Sequence, residues 1–431
     1  MPIPFLRSKL ASPYVANTAS MLLAQVPFRL TRIVTAIVLT RSLGAGELGL
    51  AAVAMTAYET IGVLSSNGLA ARIVRAADDD VAEMATTAYW LSWLVYAAMA
   101  LVQLCAAIGL SAYFHNGDLF LAIAGMSLIY LSTPLSVVQA ALLQREGRLG
   151  VLAFGSSLQM TTDNVLCCGL ALSGFGMWAI LIPKLIVMPI WVVVIRRKQA
   201  WRNQHSFTVK RWRDFYEFGR HFLPVELLGA VRGNIDNVVI GSMLGVEALG
   251  IYYFAFNAGL GLSLSLITAA GEPVYGHLCK AAHRDNAELQ ARFVKSLKLL
   301  CLIVTPTIIV QAFLVPFYVP LVFGPSWVGS VPIVVLICLS ALPRPLMVVS
   351  SHLLRAINRA DLDLRWNISF TALLTIAILI GAHWSVTAVA TAILIVNFAA
   401  IPVFLALVIY KVFGAGDLTR KFAIRAGLTP A

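Results

Sequence analysis

Charge is scarce in this sequence. Aspartate, glutamate, lysine and arginine make up 12% of the 431 residues, against roughly 25% in soluble domains. A soluble chain of this size keeps too much surface in water to manage with so few charges. Cysteine is also sparse. Cys105, Cys167, Cys168, Cys279, Cys301 and Cys338 form no CxxC pair and no Cys/His spacing that would hold a metal. Most lie in apolar stretches, where a thiol behaves as a small hydrophobe. There is no phosphate-cradling GxxxxGK[ST] loop, no HExxH and no GxSxG, and the seven histidines are dispersed. The sequence gives no footing for ATP hydrolysis or metal-assisted hydrolysis, and it implies no cofactor. It also lacks a short apolar core followed by a small-residue cleavage site, so the first long span is expected to serve as an uncleaved signal.

Apolar residues are abundant, at 59%, and they fall in blocks near the ~20 residues that cross a bilayer. Polar or Gly/Pro-rich breaks divide the chain into twelve segments. Their limits are 14–40, 46–70, 83–110, 117–142, 149–173, 175–195, 214–243, 247–272, 293–321, 328–355, 361–384 and 386–412. The basic residues test that division. If the N-terminus faces the cytoplasm, alternate loops do too, and those loops hold 25 of the 32 Lys and Arg. The outer loops hold Arg41 alone. This asymmetry is what the positive-inside rule requires, and slipping by one span would scramble it. The net charge of +12 therefore reflects loops facing an anionic leaflet, and no basic folded domain is left to bind nucleic acid. The expectation is a multi-pass inner-membrane protein, monomeric, with both termini cytoplasmic.

A repeat organises the spans. "LGAGELGLAAVA" (Leu43–Ala54) returns as "LGVEALGIYYFA" (Leu244–Ala255), with Gly44 and Gly245 separated by 245 − 44 = 201 residues. Each copy joins the first two spans of a six-span half. Gly44 and Gly245 are expected to end the first helix in the left-handed cap conformation that glycine tolerates. Gly49 and Gly250 are expected to permit close packing. "LLQREGR" (Leu142–Arg148) and "LLRAINR" (Leu353–Arg359) close the fourth span of each half, 353 − 142 = 211 residues apart. Six spans separate the copies, so both have one membrane orientation. The expected fold is all-α, with about twelve transmembrane helices in two six-helix lobes, residues 1–200 and 201–431, around a central cavity. Parallel repeats of this kind build transporters that work by alternating access.

Ionisable residues inside the spans carry the functional signal, because each costs at least about 2.5–3.5 kcal/mol at mid-bilayer and normally faces a polar cavity or partner. In "QVPFRLTRIVT", Gln25, Arg29 and Arg32 stand four and three apart on one helix face, with Pro27 beside them. Span seven carries Glu226, Arg232 and Asp236. Span ten carries Arg344 between Pro343 and Pro345, and irregular backbone at that depth must line a cavity or be packed by protein. One reading is a cationic cavity for an anionic group such as a pyrophosphate, which the planar guanidinium suits. The other is internal pairing: Arg232 with Asp236, Arg29 or Arg32 with Glu59, Lys184 with Asp163. Glu59, Asp163, Glu226 and Asp236 are also candidates for coupling to a proton or sodium gradient. "RAADDD" (Arg75–Asp80) reads as a solvated cytoplasmic loop. Arg196–Phe215 reads as an inter-lobe linker whose Trp and Arg suit a membrane surface.

Several stretches together carry a family resemblance: "LTRSLGAGELGLAA", "LQREGRL", "GFGMWAI" (Gly174–Ile180), "NIDNVVIGSMLGVEALGIYYFA" (Asn234–Ala255) and "LVFGPSWVGS" (Leu321–Ser330). They resemble the polysaccharide transporter branch, the Wzx-type flippases, of the multidrug/oligosaccharidyl-lipid/polysaccharide exporter superfamily. The resemblance implies translocation of an undecaprenyl-pyrophosphate-linked oligosaccharide to the periplasmic leaflet, alongside polysaccharide polymerase and chain-length proteins. It implies Arg29, Arg32 and Arg232 at the pyrophosphate or at acidic sugars, and Tyr58 and Tyr252 against sugar rings. The lipid-II flippases of the superfamily carry two further helices that this chain lacks. Competing readings are a cation-coupled drug antiporter, which the mid-membrane arginines oppose, and a membrane sugar polymerase or ligase, which the short outer loops oppose.

Overall fold

The computed structural model describes residues 13–65, 69–203, 207–282 and 286–414. Among them the chain is helical and contains no strand. In hydrocarbon every backbone N–H and C=O must find its partner within the protein, and a helix does so within one segment. We number the helices α1 (Pro13–Ser42), α2 (Ala45–Gly62), α3 (Leu69–Val74), α4 (Val81–Tyr113), α5 (Gly117–Ser132), α6 (Val137–Arg145), α7 (Leu149–Leu172) and α8 (Trp178–Lys198). There follow α9 (Trp212–Met243), α10 (Val246–Ala282), α11 (Asn286–Tyr318), α12 (Val331–Leu339), α13 (Arg344–Ala356), α14 (Ala360–Gly381) and α15 (Val386–Phe413). Pairing α2 with α3, α5 with α6 and α12 with α13 as interrupted spans gives twelve runs, at the places the apolar blocks mark. Nine of the helical segments among the described residues are long and apolar enough to cross a membrane. Large apolar side chains stand exposed along them, including Leu101, Ile108, Leu302, Phe313 and Leu321. Water does not tolerate so much contiguous apolar surface, and lipid does.

The chain divides into two compact units, Met1–Asn234 and Ile235–Ala431, and each repeats the packing of the other. In the first unit α2 packs on α5, α4 on α5, α5 on α8 and α7 on α8. The equivalent pairs in the second are α10 on α12, α11 on α12, α12 on α15 and α14 on α15. Gly49 and Gly250 are both buried. Gly245 takes the left-handed conformation, at φ 92°. Gly44 does not: at φ −76° and ψ 167° it is extended. The reason is that Gly44 opens α2 as well as ending α1. Its N–H donates to Glu47 at 3.2 Å and its carbonyl accepts the Leu48 N–H at 3.0 Å.

The second echo is a shared turn. Gly147 and Asn358 both have positive φ, 70° and 60°. Arg148 N–H reaches back to the Leu143 carbonyl, and Arg359 N–H to the Leu354 carbonyl, the six-to-one bond of a Schellman C-cap. Both copies also interrupt the span that leads to this turn. In the second, the backbone turns between α12 and α13 just before Arg344, as the Pro-Arg-Pro sequence requires. In the first, a 3₁₀ turn over Thr133–Leu135 separates α5 from α6. Pro134 and Pro345 are 345 − 134 = 211 residues apart, the offset of the turn itself.

Candidate functional site

The first unit holds a polar seam between α1 and α7. Asn164 donates from Nδ2 to Thr31 Oγ1 at 3.1 Å, and Thr35 Oγ1 donates to the Asn164 carbonyl at 3.1 Å. Thr35 also meets Cys168 Sγ at 3.3 Å. These contacts fix the rotation of α1, with Phe28, Thr31 and Thr35 turned to α7. At 3.6 residues per turn, the stripe through Gln25, Arg29 and Arg32 falls beside that packed face. The Arg32 side chain is exposed, and among the described residues no carboxylate forms an ion pair with it. The side chains of Gln25 and Arg29 lie outside the described residues.

Asp163, one residue before Asn164, turns to α8. Lys184 Nζ stands 3.3 Å from Asp163 Oδ2, with the two side chains 24% and 17% exposed. The other oxygen, Asp163 Oδ1, is buried and has no hydrogen-bond partner among the described residues. Glu59 of α2 feels the same ammonium electrostatically. Lys184 thus pairs with one carboxylate of the first unit and lies within electrostatic range of a second, and the expected pairing with Asp163 is observed. Tyr58, next to Glu59, stacks on Tyr130 with ring centroids 5.1 Å apart, so one of its faces is taken by protein.

In the second unit Asp236 is buried, at 8% exposure. Its carboxylate accepts from the Tyr252 hydroxyl at 2.6 Å and from the Asn237 N–H at 2.9 Å, partners that a search at helical spacing for Arg232 does not suggest. Tyr252 is 1% exposed, which leaves no face for a sugar ring. That corrects the stacking role expected for it. Arg344 completes the group: its charge acts on both Asp236 and Tyr252. The break before Arg344 is held by Asn397, whose Nδ2 donates to the Ser340 carbonyl at 3.1 Å. The turn therefore does two things. It frees the Ser340 carbonyl, which Asn397 satisfies, and it brings Arg344 into electrostatic range of a buried carboxylate more than a hundred residues earlier. Arg232 and Glu226 of α9 are half-buried.

A charged network at the loop ends was not legible in the sequence. Arg145, in the "LLQREGR" echo, pairs with Asp78 and also donates to the carbonyls of Ile73, Val74 and Ala76. Arg211 pairs with Asp80 at 2.8 Å, Asp214 at 2.8 Å and Glu83 at 3.5 Å. Its hydrogen bonds to Asp80 and then Asp214 raise the guanidinium pKa above its ordinary value. "RAADDD" is thus not simply solvated: its aspartates fasten the end of α6 and the start of α9 to one loop. Phe215, in the first turn of α9, is buried with Leu69, Met84 and Val138, which anchors that helix start in the first unit.

Among the described residues no group of three or more His, Cys, Asp or Glu side chains is placed to hold a metal ion. What the two units offer is separated charge inside apolar helices. The family model described as "Polysaccharide biosynthesis protein" matches residues 38–332. The teichuronic acid biosynthesis protein TuaB of Bacillus subtilis is 25% identical over 301 residues, 67% of this chain and 60% of its own length. The lipopolysaccharide biosynthesis protein WzxC of Escherichia coli is 26% identical over 359 residues, 80% of this chain and 70% of its own. The chain thus spans somewhat under two thirds of the first relative and somewhat over two thirds of the second. Among solved structures, the lipid II flippase MurJ in an inward closed conformation superposes with a TM-score of 0.75 at 13% identity, covering 97% of this chain and 94% of that one. That likeness speaks to the fold. The match, over most of the first helical unit and about half of the second, places the chain in the polysaccharide biosynthesis protein family, as its helix-end motifs imply.

Proposed function

We propose that the protein is a flippase that carries an undecaprenyl-pyrophosphate-linked oligosaccharide repeat unit across the bacterial inner membrane, for exopolysaccharide or O-antigen synthesis, by alternating access of its two six-helix halves. The observation that carries this reading is Arg32. It is a permanent charge on a membrane helix, it is exposed, and no carboxylate among the described residues neutralises it. A cation kept in an apolar helix at a cost of at least about 2.5 kcal/mol has a use, and an anionic headgroup supplies one. The names of the relatives, two proteins of cell-surface polysaccharide synthesis and one lipid II flippase, support the same substrate class.

In this reading Gln25, Arg29 and Arg32 on α1, with Arg232 and Arg344 from α9 and α13, hold the pyrophosphate. Glu59, Asp163, Glu226 and Asp236 are the carboxylates through which a proton or sodium gradient drives the cycle. Lys184 tunes the first two and Tyr252 the last. Arginine rather than lysine suits the headgroup, because a guanidinium stays charged in a partly dry site and grips two phosphate oxygens at once. The product would pass to a polymerase on the outer leaflet.

The test is transbilayer movement of a fluorescent polyprenyl-pyrophosphate oligosaccharide in liposomes holding the purified chain. Arg29→Gln/Arg32→Gln is compared with wild type at matched incorporation, under imposed proton or sodium gradients. Loss of movement in the variant supports both function and site. Movement retained in the variant keeps the function and removes α1 from the site. No movement by wild type under either gradient counts against the function.

A further inference from the structure

A second cationic feature stands apart from the charges just described. Where α14 meets α15 in the second unit, an apolar pocket is lined by Leu362, Trp366, Phe404 and Leu407, with Arg365 and Lys411 in its wall. Trp366 stacks on Phe404 with centroids 4.6 Å apart and ring planes 10° apart, which gives the pocket a flat, rigid aromatic side. Both cations are exposed. The carboxylates nearest in sequence are already engaged, Asp363 by Arg355 at 2.8 Å and Asp361 by Arg359 at 3.3 Å. Among the described residues none pairs with Arg365 or Lys411.

Position completes the argument. Arg365 lies in the second turn of α14 and Lys411 in the last turn of α15, at helix ends that the basic-loop pattern assigns to the cytoplasmic side. An apolar slot topped by two cations at that level matches one kind of molecule in both halves. A soluble phosphate has no use for the aromatic wall. A zwitterionic lipid leaves the net positive charge uncompensated.

We infer that this pocket binds an anionic phospholipid of the cytoplasmic leaflet, with an acyl chain along Trp366 and Leu407 and the phosphate between Arg365 and Lys411. The site belongs to α14 and α15 and does not depend on the flippase reading.

Tryptophan quenching by lipids brominated on the acyl chains tests this on the full chain reconstituted in vesicles. The difference between wild type and Trp366→Phe isolates the signal of Trp366. Brominated phosphatidylglycerol is expected to be preferred over brominated phosphatidylcholine at Trp366, by about fivefold for each cation, which is ~1 kcal/mol per basic residue at an anionic surface. Arg365→Gln/Lys411→Gln is expected to bring the ratio to about one, and Arg365→Lys/Lys411→Arg to keep it. Equal quenching of wild type by the two lipids overturns the inference whether or not the neutral variant folds. So does a preference that the neutral variant retains, or no quenching of Trp366 by either lipid. Displacement of the brominated lipid by stoichiometric undecaprenyl pyrophosphate would assign the pocket to the transported lipid and overturn it as well.

Discussion

The Tyr252 hydroxyl and Asp236 Oδ2 stand 2.6 Å apart with both side chains buried. A buried acceptor that loses its donor costs about 1–3 kcal/mol, more when charged. Tyr252→Phe removes the donor and leaves the ring. It is expected to lower stability in detergent by about 2 kcal/mol, and Asp236→Asn, which keeps a hydrogen-bonding oxygen, by less. Equal melting temperatures for wild type and Tyr252→Phe would show that the bond is not structural.

Lys184 and Asp163 make the corresponding test in the first unit. Removing one partner of a buried ion pair typically costs about 3–5 kcal/mol, whereas replacing both is often tolerated. These side chains are partly exposed, so the lower end of that range applies. Lys184→Met should destabilise strongly, and Lys184→Met/Asp163→Asn should recover much of the loss. Additive losses in the double-mutant cycle would mean that the two groups do not depend on each other.

Gly259 of α10 leaves no room for a side chain. A Cβ there would lie 2.9 Å from the Val334 carbonyl oxygen of α12, and helix backbones do not yield easily. Gly259→Ala is expected to cost about 1–3 kcal/mol through overpacking. Gly109 of α4 has nothing within 4 Å of such an atom, so Gly109→Ala should be neutral or stabilising by up to ~1 kcal/mol. Thermal unfolding of the two variants side by side separates packing from helix propensity.

The paired turns give a prediction about backbone alone. At φ 70° Gly147 is unstrained, while Asn358 holds φ 60° at some cost. Gly147→Ala is expected to destabilise by about 1 kcal/mol and Asn358→Gly to be neutral or better. The same measurement decides it, and a stabilised Gly147→Ala would contradict the turn.

Much of this was legible because lipid allows few solutions. Each apolar block had to be a helix, and the basic loops fixed the count. The pair Lys184–Asp163 was legible too, since two costly charges lay in neighbouring spans only 21 residues apart. The break beside Pro134 was harder to see, because a single proline in an apolar run more often kinks a helix than interrupts it. Its alignment with Pro345 is the signal that could have found it. Arg145 meets Asp78 across 67 residues and Arg211 meets Asp80 across 131. No periodicity reports contacts at such distances, and many other Lys and Arg in the loops looked equally suited. Arg344 comes within electrostatic range of Asp236 as α13 packs against α10, which carries Tyr252, and spacing along one helix could not show that.

A membrane helix interrupted midway is two short rods on a joint. A push on the outer rod need not tilt the inner one by the same angle. In each unit the joint falls within about a turn of the same proline, and in the second Asn397 keeps the hinge carbonyl of Ser340 satisfied. The second unit can therefore bend at one defined height without opening its hydrogen-bond ladder to lipid, and the residue carried on its joint is an arginine.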